Sequence, residues 1–446
     1  MITPVHKKGN KSVIKNYRPV SLLSIVSKVF EKLIHRDIYK HLETHKIINN
    51  RQHGFRKHRS AADLHLLLSS KWSHALDKGL QTLVLALDIE GAFDRVWHDG
   101  LYVKLESVGI KGKLLALLKA YLSRRSLRVC VNGVTSEQYP VEAGVPQGSV
   151  LGPLLWLVYI NDCLNILPEA DAFADDVTLS RSCTPKQLKA TVVDFNRRLV
   201  LLHQWGELWQ VRFAGGKTQF LVIWRSPVNI SIRFENCTIE NSSEIDILGL
   251  CYDKHLSFQQ HISKVAKKTA GKLVALRRIG WAVDTSAKEI LYKFQIRSAM
   301  EFSPLTWVGA ASTHMELLNK VQRRAERIIY GDQNENTNFD TLQHRRDVAG
   351  LSVIYKIQLL DVDHLRPLRQ APRPVPRPTR AATADAAGLA LKEERCNTHH
   401  SQLKCLPRYT RMWNVFVSST SEQVLHDVMR NIKNFKCAVN KWLLDR

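Results

Sequence analysis

Apolar positions along the chain recur in two rhythms, one helical and one strand-like. Ile25, Val26, Val29, Phe30 and Leu33 fall at helical spacing, with Lys28, Glu31, Lys32 and Arg36 largely between them. After the polar string Gln52-His53-Gly54-Phe55-Arg56-Lys57-His58-Arg59-Ser60, a second helical pattern runs through Ala61, Leu64, Leu66, Leu67 and Leu68. Leu83 to Leu87 is an unbroken apolar run of strand length, the signature of a strand buried on both faces, and Asp88 ends it. Residues 101–121 read as helix, and Leu127 to Gly133 as a strand entering an Asn-Gly turn. Gly144-Val145-Pro146-Gln147-Gly148-Ser149 is a loop whose glycines let the backbone approach a ligand, before an apolar run from Val150 to Ile160. Phe173-Ala174 and Val177-Thr178-Leu179 flank Asp175-Asp176, which predicts a hairpin with acids at its tip. Phe220 to Trp224 is strand-like.

From His261 to Met300 the pattern turns helical, with Ile262, Val265, Ala266, Leu273 and Leu276 on one side. Lys264, Lys267, Lys268, Lys272, Arg277 and Arg278 load the remainder, and a further helix over about 316–330 carries Arg323, Arg324 and Arg327. Prolines interleaved with arginines over 367–378 predict an extended linker and a domain boundary.

Composition narrows the function classes. The 446 residues carry a formal net charge of +24, the balance of a protein that acts on a polyanion. A merely soluble surface does not need so large an excess of Lys and Arg. No stretch approaches the roughly 20 apolar residues of a membrane span, and the N-terminus lacks the apolar core of a signal peptide. An intracellular protein without membrane contact is expected, in the nucleus or the cytoplasm. The eight cysteines show no C-x-x-C pairs, as expected of reduced thiols, and the spacing of Cys396, His399, His400 and Cys405 fits no zinc knuckle.

Acids embedded in this basic chain need a reason. A buried unpaired carboxylate costs several kcal/mol, so a basic partner, neutralisation or a metal is the usual solution. Mg²⁺ suits such a site because it takes a few carboxylates and leaves its other positions to water and substrate phosphates. Each string also has an ordinary explanation: Asp88 as a turn former or helix cap, Asp175-Asp176 as a plain hairpin tip, 144–148 as a loop. Gly215-Gly216-Lys217-Thr218 is no phosphate-binding P-loop, because Val211 stands where the motif needs its first glycine.

The order of the strings decides among these readings. Asn16-Tyr17-Arg18-Pro19-Val20-Ser21, Ala92-Phe93-Asp94-Arg95-Val96-Trp97-His98, Gly144 to Pro153 and Phe173-Ala174-Asp175-Asp176 follow one another as in a known family. Over most of its length the chain resembles the reverse transcriptase of LINE-type, non-LTR retrotransposons, jockey-like elements in particular. Later strings, Gln322-Arg323-Arg324-Ala325, His344 to Leu351 and Arg411-Met412-Trp413-Asn414, are similar to that family's region downstream of the polymerase core.

The resemblance implies an α+β right-hand polymerase of fingers, palm and thumb, with an antiparallel palm sheet and a helical C-terminal region. Partial fingers are expected over 1–80, the palm over 81–255, thumb and connection over 256–365, the linker over 366–395 and a small C-terminal region over 396–446. It implies an RNA-directed DNA polymerase that takes an RNA template, a DNA primer and dNTPs. Asp88, Asp175 and Asp176 would hold two Mg²⁺ ions, with Mn²⁺ as a substitute and the main-chain carbonyl of Ile89 as a further ligand. Arg18, with Lys7 or Lys8, would meet the triphosphate. Phe93 occupies the family's steric-gate position, where a ring excludes the ribose 2′-hydroxyl. Gln147 and the backbone of Gly144 and Gly148 would lie against the nucleotide and template. Lys217 would be the proton donor to pyrophosphate, although the family often carries Asn where this chain has Ala214. Lys264, Lys267, Lys268, Lys272, Arg277 and Arg278 would follow template–primer phosphates.

Full-length relatives of this kind carry an upstream endonuclease and a finger extension, so a chain starting near Pro4 to Gly9 is expected to lack both. Two function classes follow: a competent polymerase, or an inactive nucleic-acid-binding relic of the element.

Overall fold

The computed structural model describes residues 1–7, 9–331, 339–374 and 388–445. Lys8 and residues 375–378, the end of the proline- and arginine-rich stretch, lie outside the described residues.

A four-stranded antiparallel sheet organises the chain. Its order is Gln219–Ile223, Gln81–Leu87, Asp176–Cys183, Ala170–Phe173. The run that reads as a doubly buried strand is the second of these. Leu83, Leu85 and Leu87 pack with the helix Leu151–Ile160 and with Phe195, Leu199 and Leu202 of the helix Leu188–Leu208. Val84 faces the other way, with Leu221 and Ile223, onto Leu64, Leu68 and Trp72 of the helix Ala61–Asp77. Apolar side chains are therefore needed at successive positions, which removes the usual alternation.

In front of the sheet, Ile2–His6 and Tyr17–Ser21 form a two-stranded hairpin in which Val5 pairs with Arg18. The region 101–121 is two helices, His98–Ser107 and Gly112–Leu122, separated at Gly109, whose φ is +90°. The Asn-Gly turn forms as expected, with Asn132 and Gly133 both at positive φ between Cys130–Val131 and Val134–Thr135.

The helix Ile25–Thr44 is turned away from its own periodicity. Ile25, Val26, Val29, Phe30 and Leu33 are all more than half exposed, whereas Glu31 is 1% exposed. The reason is electrostatic. Glu31 Oε2 accepts from the N–H groups of Val150 (2.7 Å) and Leu151 (3.1 Å), and Oε1 accepts from Ser27 Oγ (3.2 Å). An acid on the first turn of the helix Leu151–Ile160 satisfies donors that have no partner within that helix and meets the positive end of its dipole. Ile38, Tyr39 and Leu42, on Glu31's side, go into the core with it.

Beyond the sheet, the helix Gln259–Ile279 packs against Ser312–Tyr330, and the stretch 261–300 is broken into Gln259–Ile279, Thr285–Leu291 and a π-helical segment, Tyr292–Arg297. The helix Leu342–Leu359 packs with Cys405–Ser419 and Ile432–Leu444 in one core built on Tyr355, Tyr409, Trp413 and Phe435. The boundary expected at residue 366 thus falls inside a packed unit. Instead of an extended linker there, the described residues 371–373 pair with 390–392, through Arg373 N to Ala390 O and Lys392 N to Ala371 O, both 2.8 Å. Among the described residues no helix is long and apolar enough to cross a membrane.

Removing the Glu31 acceptor leaves two buried N–H groups unpaired. Glu31→Ala is expected to lower stability by about 1–3 kcal/mol, read as an earlier first transition in urea unfolding, with Glu31→Gln closer to the parent. An unchanged midpoint for Glu31→Ala would remove this latch from the fold.

Candidate active site

Strand register alone brings the acids together. Leu87 pairs with Val177, so the next residues on the two strands, Asp88 and Asp176, leave the sheet at the same end. Phe173 pairs with Asp176, which makes Ala174-Asp175 a two-residue turn, and Ala174 takes the positive φ (+62°) of its first position. Asp88 and Asp175 are half-buried and Asp176 is exposed.

Their charges act on one another. Asp175 is raised above the ordinary carboxylate range, first by desolvation and then by Asp88, while Arg18 and Lys7 pull it back. Asp176 is pushed up to about 6, first by desolvation of its carboxylate and then by Asp175 and Asp88. Among the described residues no three His, Cys, Asp or Glu side chains are drawn close enough to chelate a metal as they stand. Like charges without a cation have reason to stay apart.

Two neighbours complete this end of the sheet. Asp88 accepts from Ala214 N through its main-chain carbonyl (2.8 Å), and Glu90 N donates to Arg212 O (2.9 Å). These flanking bonds tie 88–90 to 212–214 and leave the carbonyl of the buried Ile89 outside that pairing. Lys217 Nζ lies 3.9 Å from Asp88 Oδ1, on a side chain 65% exposed.

The front hairpin presents cations to the acids. Arg18 is exposed on Tyr17–Ser21, and Lys7, also exposed, follows the partner strand, its N–H bonded to Asn16 O (2.8 Å). The hairpin is held to the loop 144–148 by Ser21 N to Gln147 O at 2.7 Å, where Gly148, at φ +104°, leaves room for Ser21 O. A Cβ on Gly144 would meet Asp94 O at 2.6 Å, so a close backbone approach fixes glycine there. Gly144 N and Val145 N donate to Val96 O (2.8 Å) and Phe93 O (2.7 Å).

Phe93 is half-buried, with its ring 5.8 Å from Trp156 and 5.9 Å from Phe55. Gln147 Nε2 donates to both carboxylate oxygens of Asp94, at 2.9 and 3.1 Å. Burial raises the Asp94 pKa against the opposing pull of Gln147, Lys7 and Arg95. Asp94 lies within a string that matches the family, but its pairing with Gln147, 53 residues away, is not visible from spacing.

The basic helix lies elsewhere and divides into two groups. Lys264 Nζ is held by Glu244 (2.7 Å) and Cys251 Sγ (3.2 Å), and Lys272 Nζ by Gln295 O (2.8 Å). Lys267, Lys268, Arg277 and Arg278 are exposed. The Cys396, His399, His400 and Cys405 grouping forms no metal cluster among the described residues. His400 is half-buried and desolvation pushes it down to about 4, and Cys405 is fully buried with its thiol pushed up to about 12.

The sequence pattern described as reverse transcriptase (RNA-dependent DNA polymerase) matches residues 5–252. A probable RNA-directed DNA polymerase from transposon X-element of Drosophila melanogaster is 30% identical over 74% of this chain and 37% of its own length. Another from transposon BS of the same organism is 30% identical over 74% of this chain and 38% of its own. The RNA-directed DNA polymerase from mobile element jockey, also of Drosophila melanogaster, is 28% identical over 74% and 37%. The chain thus spans less than two thirds of the length of each of these relatives. With its match to the family pattern running through the front hairpin and the acidic sheet end alike, the chain belongs to the reverse transcriptase (RNA-dependent DNA polymerase) family.

Proposed function

We propose that this chain is the polymerase portion of a non-LTR retrotransposon protein and adds deoxynucleotides to a primer 3′-hydroxyl on an RNA template. The observation that carries the reading is the meeting of Asp88, Asp175 and Asp176 at one strand end, within the field of Arg18 and Lys7.

The donor chemistry fits a hard divalent cation. Three carboxylates with raised or crowded charge, and an Ile89 carbonyl outside the local pairing, are oxygen ligands of the kind Mg²⁺ takes. Mn²⁺ suits the same donors. Two such ions, when bound, supply a lowered pKa for the primer hydroxyl and charge stabilisation on the leaving pyrophosphate. Phosphoryl transfer needs little else besides positioning.

The remaining residues do that positioning. Arg18 and Lys7 bind triphosphate oxygens, because they are the exposed cations that already offset Asp175. Lys8 shares this role in the same reading. Lys217 gives a proton to pyrophosphate in this reading, which its loose pairing with Asp88 supports. Gly144 and Gly148 shape the loop floor, Gln147 orients nucleotide and template, and Phe93 bars the 2′-hydroxyl. Lys267, Lys268, Arg277 and Arg278 hold template–primer phosphates, whereas the ammonium groups of Lys264 and Lys272 are engaged at the surface by Glu244 and by the Gln295 carbonyl.

Primer extension on an RNA template with Mg²⁺ and dNTPs tests the reading. The parent is expected to extend and Asp175→Asn to lose at least about a hundredfold in rate; equal background from both would end the proposal. Phe93→Ala is expected to admit ribonucleotides, checked by the ratio of dNTP to rNTP incorporation; an unchanged ratio would remove the gate. Binding measured against salt separates the two groups of cations. Lys267→Gln and Lys268→Gln should each flatten the slope by about one, and Lys264→Gln should leave it alone; the opposite order would reverse the assignment.

A further inference from the structure

Gln52 is 2% exposed, and its amide grips the peptide unit of the acidic turn. Oε1 accepts from Ala174 N at 2.9 Å and from Gly54 N at 2.9 Å, while Nε2 donates to Ala174 O at 3.3 Å. We infer that Gln52, together with Gly54, is the positioning element of the Ala174-Asp175 turn, and so sets where Asp175 and Asp176 stand. The catalytic consequence rests on the polymerase reading above; the clamp itself does not.

Four observations support it. The turn is conformationally expensive, since Ala174 sits at φ +62°, a region that L-residues with a Cβ avoid. It also closes the outer strand, Ala170–Phe173, which has no further strand beyond it. Residues 51–53 cover that edge instead, with Ala172 N donating to Arg51 O (2.9 Å) and His53 N to Ala172 O (2.7 Å). At Gly54, a Cβ would stand 2.2 Å from Ala174 N, so any side chain there would push the turn away.

The clamp is itself anchored. The Arg51 guanidinium donates to Leu167 O (2.5 Å), Ala170 O (2.8 Å) and Leu164 O. Arg56 and Arg59 donate to Gln52 O at 3.4 and 3.2 Å. The chain therefore holds a strained turn, one that carries mutually repelling acids, by a buried neutral amide that adds no charge of its own.

Gln52→Met in the full chain keeps the volume and removes the hydrogen bonds. Hydrogen exchange of segments covering 170–178 is expected to quicken by about tenfold, the loss of a buried hydrogen bond. Primer extension should lose about tenfold or more in kcat with little change in KM for dNTP, and need more Mg²⁺ for half-maximal rate, as misplaced acids would require. Adding Ala174→Gly to Gln52→Met should restore part of both, because glycine takes positive φ without the clamp. A purely structural role would not give this rescue. Wild-type exchange at 170–178 in Gln52→Met, or no rescue by Ala174→Gly in a chain that melts like the parent, would overturn the inference. Should the parent itself not extend a primer, the polymerase reading fails, and exchange with its rescue still decides the clamp.

Discussion

The pairing of Gln81–Leu87 with Asp176–Cys183 forces carboxylates into each other's field, and the front of the molecule is organised around that repulsion. Burial of the sheet on both faces fixes the register, because a slip by one residue would turn Leu83, Leu85 and Leu87 away from their core. The acids therefore cannot escape by sliding. Asp176, raised from 3.8 to about 6, shows the direction of the cost. A carboxyl with a raised folded pKa adds stability below its unfolded value and loses it as pH rises through the folded one. The protein should accordingly be held least well at this site above about pH 6.

Two cations near the acids temper that repulsion. The front hairpin brings Arg18 and Lys7 within range of the acids but leaves both exposed. The loop 144–148 joins the hairpin, through Ser21, to the turn carrying Phe93 and Asp94. Glu31 then fastens the helix Ile25–Thr44 to the start of Leu151–Ile160, the helix that follows this loop. Farther away, Asp77 accepts from Asn397 N (2.8 Å) and Thr398 N (2.9 Å), and Lys404 donates to Leu256 O (2.7 Å). The C-terminal helices are thus docked on the helix behind the sheet.

Much of this was legible in the sequence, because strong local signals and the order of motifs agree. The unbroken apolar run before Asp88 could only be a doubly buried strand or a buried helical segment, and its length favours the strand. The acidic hairpin and the Asn132-Gly133 turn follow from residue type. What was hidden depends on distant partners. Nothing local says that Glu31 meets a helix end far along the chain, so the apolar face of Ile25, Val26 and Phe30 is a misleading guide to burial. The same holds for Lys264, whose charge looks available until Glu244 is seen beside it. Gln52 gave no signal beyond its place before a glycine, since a clamp on Ala174 appears only when the two segments lie side by side.

The most direct measurement is thermal melting of the whole chain in chelator and in rising Mg²⁺, at pH 7 and at pH 5. The account predicts a midpoint that rises with Mg²⁺ at pH 7, as a ligand bound only by the folded state requires. At pH 5, below the raised pKa of Asp176, the rise should shrink. A midpoint at pH 7 that is the same with and without Mg²⁺ would contradict it.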